Sequence, residues 1–182
     1  MAETNGPSLS INPDSGVATI KNHPITYLNF EGRASDYNAL GSRNFHSVLT
    51  EEDAEILLAN RYNVKQHDPT ADAEELTPWW SLQVKVQFGA FKPPLIVMIT
   101  GEEKLQKVLN NDNISVLDAV DLARVDLTIR PYDHNRPGMG TGRAAYLKSG
   151  FFTLDEDELM RDYGFNPAGS APPAGATGDE PF

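Results

Sequence analysis

Residues 79–88 read WWSLQVKVQF, and this stretch decides the fold class. Apolar and polar side chains alternate along it, which is the period-two pattern of a β-strand with one buried face. The even-numbered residues from Trp80 to Phe88 are all apolar, whereas the odd-numbered ones from Ser81 to Gln87 are polar and include Lys85. The segment therefore predicts a strand that packs one side against a core and leaves the other side polar.

Further strands are predicted on both sides of this stretch, from strand composition, continuous apolar runs or the same alternation. They are residues 25–30, 44–49, 62–65, 94–99, 124–132 and 143–154. Thr50, followed by three acids, predicts the start of a helix. Shorter helices are predicted over residues 102–109, 116–123 and 155–163, and a loop over 133–142. Because regular α/β alternation is absent, we expect a mostly β fold, an antiparallel β-barrel, closed or nearly closed, with small inserted helices.

The two ends of the chain have a different composition from the middle. Residues 1–22 are rich in Ser, Asn, Gly and Pro and predict a flexible N-terminal arm. Residues 23–164 form the predicted β-domain. Residues 165–182 predict a disordered linker and tail, because they are dense in Pro and Gly. The last four residues are acidic and then apolar: Asp179, Glu180, Pro181 and Phe182.

Composition and charge exclude several classes of function. The chain has no cysteine, so a disulfide framework, a thiol nucleophile and a cysteine zinc site are excluded. The four histidines have no metal-ligand spacing and no paired-acid motif is present, so we expect no metal, no cofactor and no enzymatic activity. No signal peptide and no apolar run of the ~20 residues that a membrane span needs are found, which predicts a cytoplasmic protein.

The net charge of −11 argues against nucleic acid until its distribution is considered. Residues 155–182 hold seven acids and one base. Residues 124–150 hold five bases and two acids, so a late part of the predicted domain is locally basic. The acidity therefore belongs mainly to the C-terminal end, and a basic surface on the domain is compatible with the sequence.

Several segments resemble phage single-stranded DNA-binding proteins with an OB fold. They are residues 43–45, 62–65, 82–88, 93–100, 125–132, 145–148 and 154–158. The resemblance covers residues 24–163 and rests on the order and spacing of these segments together. It implies the OB fold, binding of single-stranded DNA without sequence specificity, and a role in replication, recombination or repair of phage DNA in the infected host cell.

Coating a single strand requires cations for the phosphates and flat rings on which any base can stack. Side chains of these two kinds lie on predicted outward strand faces or flank the glycine-rich residues 138–142. The predicted DNA-binding residues are Arg43, Trp79, Lys85, Arg130, Tyr132, Arg136, Arg143, Tyr146, Lys148 and Phe152. Tyr146 and Phe152 could instead lie inside a barrel, because its interior also takes one face of every strand.

The C-terminal tip resembles the acidic Pro-Phe terminus of bacterial single-stranded DNA-binding proteins. Its ring could fill an apolar pocket of a replication or recombination protein while its carboxylates meet a basic rim. The sequence is compatible with a homodimer and does not fix the oligomeric state. Two alternatives stay open: a phage structural or assembly protein whose β-domain binds protein, and an RNA-binding OB module.

Overall fold

A computed structural model of the chain describes residues 6–72, 74, 77–89, 92–100, 104–136 and 140–156. Within them the fold is one sheet of ten strands with one α-helix. The strands are β1 (Ser8–Ile11), β2 (Ala18–Lys21), β3 (Ile25–Asn29), β4 (Arg43–Leu49), β5 (Val64–His67), β6 (Trp79–Val86), β7 (Leu95–Thr100), β8 (Leu105–Leu109), β9 (Leu122–Arg136) and β10 (Gly140–Leu154). The helix is α1 (Glu51–Ala59).

The strands follow the order β1-β2-β9-β10-β6-β4-β3, with β5 beside β6, and β7 between β10 and β8. The prediction of a mostly β fold is confirmed. The path ends at β1 and β3, so the sheet is open. The expectation of antiparallel pairing is wrong for two contacts, because β10 runs parallel to β6 and to β7. β10 can pair in parallel with both strands because it has 15 residues, so different parts of its length border different strands.

β9 and β10 form a long antiparallel ribbon that organises the sheet. Its pairing continues to Arg136 opposite Gly140, so the predicted loop over residues 133–142 is wrong at both of its ends. Residues 137–139 lie outside the described residues. The backbone hydrogen bonds of the ribbon are made between the two strands whatever the polarity of the side chains. A loop prediction based on the polar and glycine-rich composition of residues 133–142 therefore fails.

The N-terminal region contains a β-hairpin. β1 pairs with β2, and β2 pairs with β9 through Ala18 opposite Ile129 and Ile20 opposite Leu127. Ala18 and Ile20 are completely buried. The predicted flexible arm over residues 1–22 is therefore wrong for β1 and β2. These strands have four residues each, too few for a clear periodic signal, and their stability depends on β9, which is more than a hundred positions away in the chain.

The helix predictions divide into one success and two failures. α1 begins where predicted, and the Thr50 hydroxyl accepts a hydrogen bond from the Asp53 amide at 3.1 Å. The helix predicted over residues 102–109 is wrong, because β8 occupies its described part. The helix over residues 116–123 is also wrong: a 3₁₀ helix at Ile114–Asp118 precedes β9, which starts at Leu122. Most of the helix predicted over 155–163 lies outside the described residues.

The core lies on the inward face of the sheet and is centred on three phenylalanines. Phe30 stacks on Phe45 with ring centroids 5.1 Å apart, and Phe152 meets both rings edge-on. A bulge between Leu147 and Ser149 in β10 shifts the alternation by one residue. Leu147 points inward before the bulge and Phe152 points inward after it, and both are buried.

Candidate nucleic-acid interface

A row of polar and aromatic side chains crosses four adjacent strands on the outward face of the sheet. Asn44 of β4 lies opposite Lys85 of β6, Lys85 beside Tyr146 of β10, and Tyr146 opposite Arg130 of β9. Directly paired residues on neighbouring strands point to the same face. The four side chains therefore form a continuous track that runs perpendicular to the strands.

Tyrosines and cations alternate closely in this track. The Lys85 ammonium lies 5.8 Å from the centroid of the Tyr146 ring. Tyr132 is 60% exposed and meets Tyr146 edge-on, with centroids 5.8 Å apart. The Arg130 Nη2 donates to the Lys92 carbonyl at 3.0 Å. The Tyr146 ring is thus half-exposed and the Tyr132 ring is exposed, and Lys85 and Arg130 lie beside them. Rings and cations in this arrangement are suited to stacking on bases and to contacting phosphates.

A groove of about 390 Å³ lies over one end of this track. Its floor includes Asn44, Gln83, Lys85 and Tyr146, and the loop between β3 and β4 forms its rim. Tyr37 projects from that rim and is 95% exposed. A large ring that is almost completely in water is a candidate for stacking on a ligand, since nothing in the described part of the chain covers it.

The rim is held by three polar anchors. The Asp118 carboxylate accepts hydrogen bonds from the Phe30 and Glu31 amides at 2.9 and 2.8 Å. The Asn29 side chain accepts from the Gly32 and Arg33 amides. Arg43 donates to the Phe30 carbonyl at 2.7 Å and to Asn111 at 2.7 and 3.2 Å. Arg43 therefore lines the groove, but its guanidinium is largely committed to holding the rim.

A second aromatic cluster lies on the same outward face at the start of β6. Trp79 stacks on His67 with centroids 3.8 Å apart and planes at 12°, and Tyr27 lies 6.1 Å from the tryptophan ring. The Ser81 hydroxyl bridges His46 Nδ1 at 2.9 Å and His67 Nε2 at 2.8 Å. Lys85 lies six positions after Trp79 in the strand, which places the two about 20 Å apart.

Both histidines of this cluster favour the neutral state. Burial, followed by the charges of Lys65 and His67, lowers the pKa of His46 from 6.5 to about 4. Burial and the nearby Lys65 lower the pKa of His67 as well. No group of His, Asp and Glu side chains suited to a metal ion occurs in the part of the chain that the structure describes. The two imidazoles therefore act as neutral hydrogen-bonding and stacking groups.

Seven of the ten predicted DNA-binding residues lie on or beside the outward face: Arg43, Trp79, Lys85, Arg130, Tyr132, Tyr146 and Lys148. Phe152 is not among them. The prediction that Phe152 shares a face with Tyr146 is wrong, because the bulge in β10 turns Phe152 into the core, where it is completely buried.

Arg143 lies on the other side of β10 from Tyr146, at the hairpin between β1 and β2. It donates to Asp133 at 2.7 Å and its guanidinium lies 5.7 Å from the centroid of the Tyr62 ring. The hydrogen bond lowers the pKa of Asp133 and raises that of Arg143. Lys148 is exposed at the bulge, next to the same hairpin. Arg136 ends β9, and its side chain lies outside the described part, as do Asp179, Glu180, Pro181 and Phe182.

Several residues of the outward face were missed by sequence reasoning. Asn44, His46 and His67 lie on it, and Tyr27 is 56% exposed beside them. His67 lies beyond the strand predicted over residues 62–65, because β5 continues to it. The strands of the other three were predicted, but β4 is buried at nearly every position, so no alternation indicates which of its side chains point outward. Which side chains of β4 and β5 point outward can be read only from the pairing of these strands with β6.

The chain belongs to the family described as "Putative phage ssDNA-binding domain", which its sequence matches over residues 17–172. The fold is similar to that of the single-stranded DNA-binding protein from bacteriophage Enc34. A C-terminally truncated form of that protein gives a TM-score of 0.51 at 13% identity, covering 85% of this chain and 99% of the other.

The same phage protein in complex with ssDNA gives a TM-score of 0.51 at 15% identity, covering 86% of this chain and 98% of the other. Identities this low establish a common fold and do not align individual site residues. No curated protein matches the chain. Among the described residues, no helix has the length and apolar character needed to cross a membrane.

Proposed function

We propose that this protein binds and protects single-stranded DNA without sequence specificity. The observation that carries the proposal is the track of Asn44, Lys85, Tyr146 and Arg130 across four strands, with Tyr132 beside it. Side chains of this kind recognise features common to every nucleotide, the phosphate charge and the flat face of the base. Membership of a phage ssDNA-binding family and a similar fold in a protein solved with ssDNA support the same function.

The track suits a single strand better than a duplex. Stacking requires the face of a base, and in a duplex both faces are covered by neighbouring base pairs. Each stacked base contributes about 1–3 kcal/mol, and each phosphate contact adds about 0.7 to the salt dependence of binding to a single strand. Tyr146, Tyr132 and Tyr37 are the proposed stacking rings, and Lys85 and Arg130 are the proposed phosphate contacts. Trp79 would stack at the far end of the outward face.

Tryptophan fluorescence on titration with oligo-dT, compared with duplex DNA at two salt concentrations, tests this proposal. We expect quenching by the single strand, weaker binding at higher salt and almost no response to duplex. Trp79 is the expected reporter, because Trp80 packs against the core. A Trp79→Phe variant should therefore bind with less quenching, and a matched Trp80→Phe variant should keep most of it.

The same titration separates the alternatives. Equal affinity for oligo-rU and oligo-dT is compatible with readout of phosphate and base faces, whereas a strong preference for oligo-rU would favour an RNA-binding module, since RNA-specific proteins contact the 2′-hydroxyl. Failure of the full chain to bind either polymer at low salt would favour the structural or assembly protein.

We further propose that the protein acts in replication, recombination and repair of phage DNA in the cytoplasm of the host cell, and that its tail recruits partner proteins. The support is the sequence of residues 179–182, Asp-Glu-Pro-Phe, at the end of a Pro- and Gly-rich linker. A tethered anion is present at high effective concentration and competes with DNA phosphates for the cations of the track.

Removal of residues 179–182 tests the competition. The shortened chain should bind oligo-dT more tightly at low salt, and the difference should shrink at high salt, because screening weakens the contact between tail and track. A Phe182→Ala variant keeps the acids and is the matched control: it should bind DNA as the full chain does. Unchanged affinity of the shortened chain at low salt would refute the competition.

A further inference from the structure

The outward face does not end at Arg130; it continues onto the N-terminal hairpin. Thr19 of β2 lies opposite Thr128 of β9, and Thr128 lies opposite Ser149 of β10. This second row is parallel to the track and adjacent to it, because Thr128 and Arg130 point to the same face of β9. From β9 to β2 the row extends the polar surface beyond Arg130 by one strand spacing, about 5 Å.

An open depression of about 420 Å³ lies on this extension. Its lining is dominated by hydroxyl and amide side chains from the hairpin, together with one cation from β10. The lining residues are Ser10, Ile11, Asn12, Ser15, Val17, Thr19 and Lys148. The hydroxyls of Ser10 and Thr19 make no hydrogen bond with any residue that the structure describes, so both can donate to a ligand.

Lys148 is the cation of this depression, and the bulge in β10 puts it there. It is the extra residue between Leu147 and Ser149, and it is exposed. It forms no ion pair within the described ranges. Two acids lie near the depression: Asp14 is in the hairpin turn between Asn12 and Ser15, and its amide donates to the Asn12 side chain. Asp126 lies opposite Lys21 and already accepts from the Arg124 guanidinium at 2.9 Å and the Asn22 amide at 3.0 Å. A free ammonium next to unpaired hydroxyls is suited to a phosphate group.

We propose that Lys148, Thr19 and Ser10 form a phosphate subsite, which extends the path of the DNA strand from the track onto the N-terminal hairpin. This inference rests on the proposed function. It assigns the hairpin a role in ligand binding as well as in the sheet. A strand that leaves Tyr146 and Arg130 would cross β9 and β2 and place a backbone phosphate between the ammonium and the hydroxyls.

Fluorescence anisotropy with a labelled oligo-dT, measured on the full chain over a series of NaCl concentrations, tests the subsite. Lys148→Gln should lower the slope of log affinity against log salt by about 0.7, the value for one phosphate contact with a single strand. Lys104→Gln removes the same charge before β8, away from the outward row, and should leave the slope unchanged. Thr19→Val removes one hydroxyl and keeps a β-branched side chain. It should weaken binding several-fold in the wild-type background and have less effect in the Lys148→Gln background.

Each result distinguishes the inference from the function on which it rests. Equal slopes for Lys148→Gln, Lys104→Gln and the wild type, with a Tyr146→Leu variant still weakened, would overturn the subsite and retain the track. Absence of binding by the wild-type chain would overturn both. Equal unfolding midpoints for Lys148→Gln and the wild type would show that a changed slope comes from the lost contact and not from lost folding.

Discussion

The outward face of the sheet carries two aromatic clusters, and they differ in what their polar and aromatic groups contact. In the track, Tyr146 and Tyr132 meet at only one edge and have cations beside them. In the cluster at the start of β6, Trp79 is stacked on His67, and both histidines are bonded to Ser81. The rings of the first cluster are partly exposed and its cations make few contacts among the described residues, whereas the groups of the second cluster are largely stacked or hydrogen-bonded to one another.

This difference shows why aromatic residues on a polar face are not equivalent. A ring contributes to ligand binding through the face that it leaves open, and a ring already stacked within the protein has less to offer. The same stacking and hydrogen bonding stabilise the fold where the tryptophan cluster joins β3, β4, β5 and β6. We therefore expect substitutions in the track to affect DNA affinity, and substitutions in the other cluster to affect mainly stability.

The largest expected effect concerns the acid stability of the histidine cluster. The unfolded chain binds a proton at His46 near pH 6.5, while the folded chain does so only near pH 4. The free energy of unfolding should therefore fall as the pH decreases through this window, by about 2–3 kcal/mol from His46. His46→Gln keeps a hydrogen-bonding side chain next to Ser81 and should flatten this dependence in urea unfolding at pH 7 and pH 4.5. An equal loss in both proteins would contradict the prediction.

A somewhat smaller effect is expected from the track. Tyr146→Leu removes a stacking ring and keeps an apolar side chain over Lys85. It should weaken binding of oligo-dT by about 5- to 150-fold, corresponding to the 1–3 kcal/mol of one stacked base. Anisotropy titration measures the affinity, and the unfolding midpoint should change little because the ring is half-exposed. An affinity within twofold of the wild type, about 0.4 kcal/mol, would place the strand elsewhere.

The smallest effect is expected from Trp79→Leu. One face of this ring is covered by His67, so its removal should cost less than about 1 kcal/mol of DNA affinity, below about fivefold. Its unfolding midpoint should fall, in contrast to Tyr146→Leu. A larger loss of affinity for Trp79→Leu than for Tyr146→Leu would reverse the comparison between the two clusters.

The sequence predicted the long alternating strands well, and it predicted which side chains point outward where those strands keep their alternation. Lys85, Arg130 and Tyr132 were placed on outward faces correctly because β6 and β9 alternate without interruption there. Phe152 was misplaced because a single extra residue at the bulge reverses the alternation, and no residue type signals it. The hairpin was missed because two four-residue strands have almost no periodic signal of their own.

Local chemistry determined the class of the fold. Residues that alternate between apolar and polar bury one face when they form a strand. Thr50, followed by three acids, favours the start of a helix at that point. These features depend on neighbours a few positions away, so they can be derived from sequence alone. The tertiary structure decided which faces meet. The pairing of β10 with β6 and β9 places Tyr146 between Lys85 and Arg130, residues that are far apart in the chain. Cross-strand contacts are set by register, and register is a property of the whole sheet.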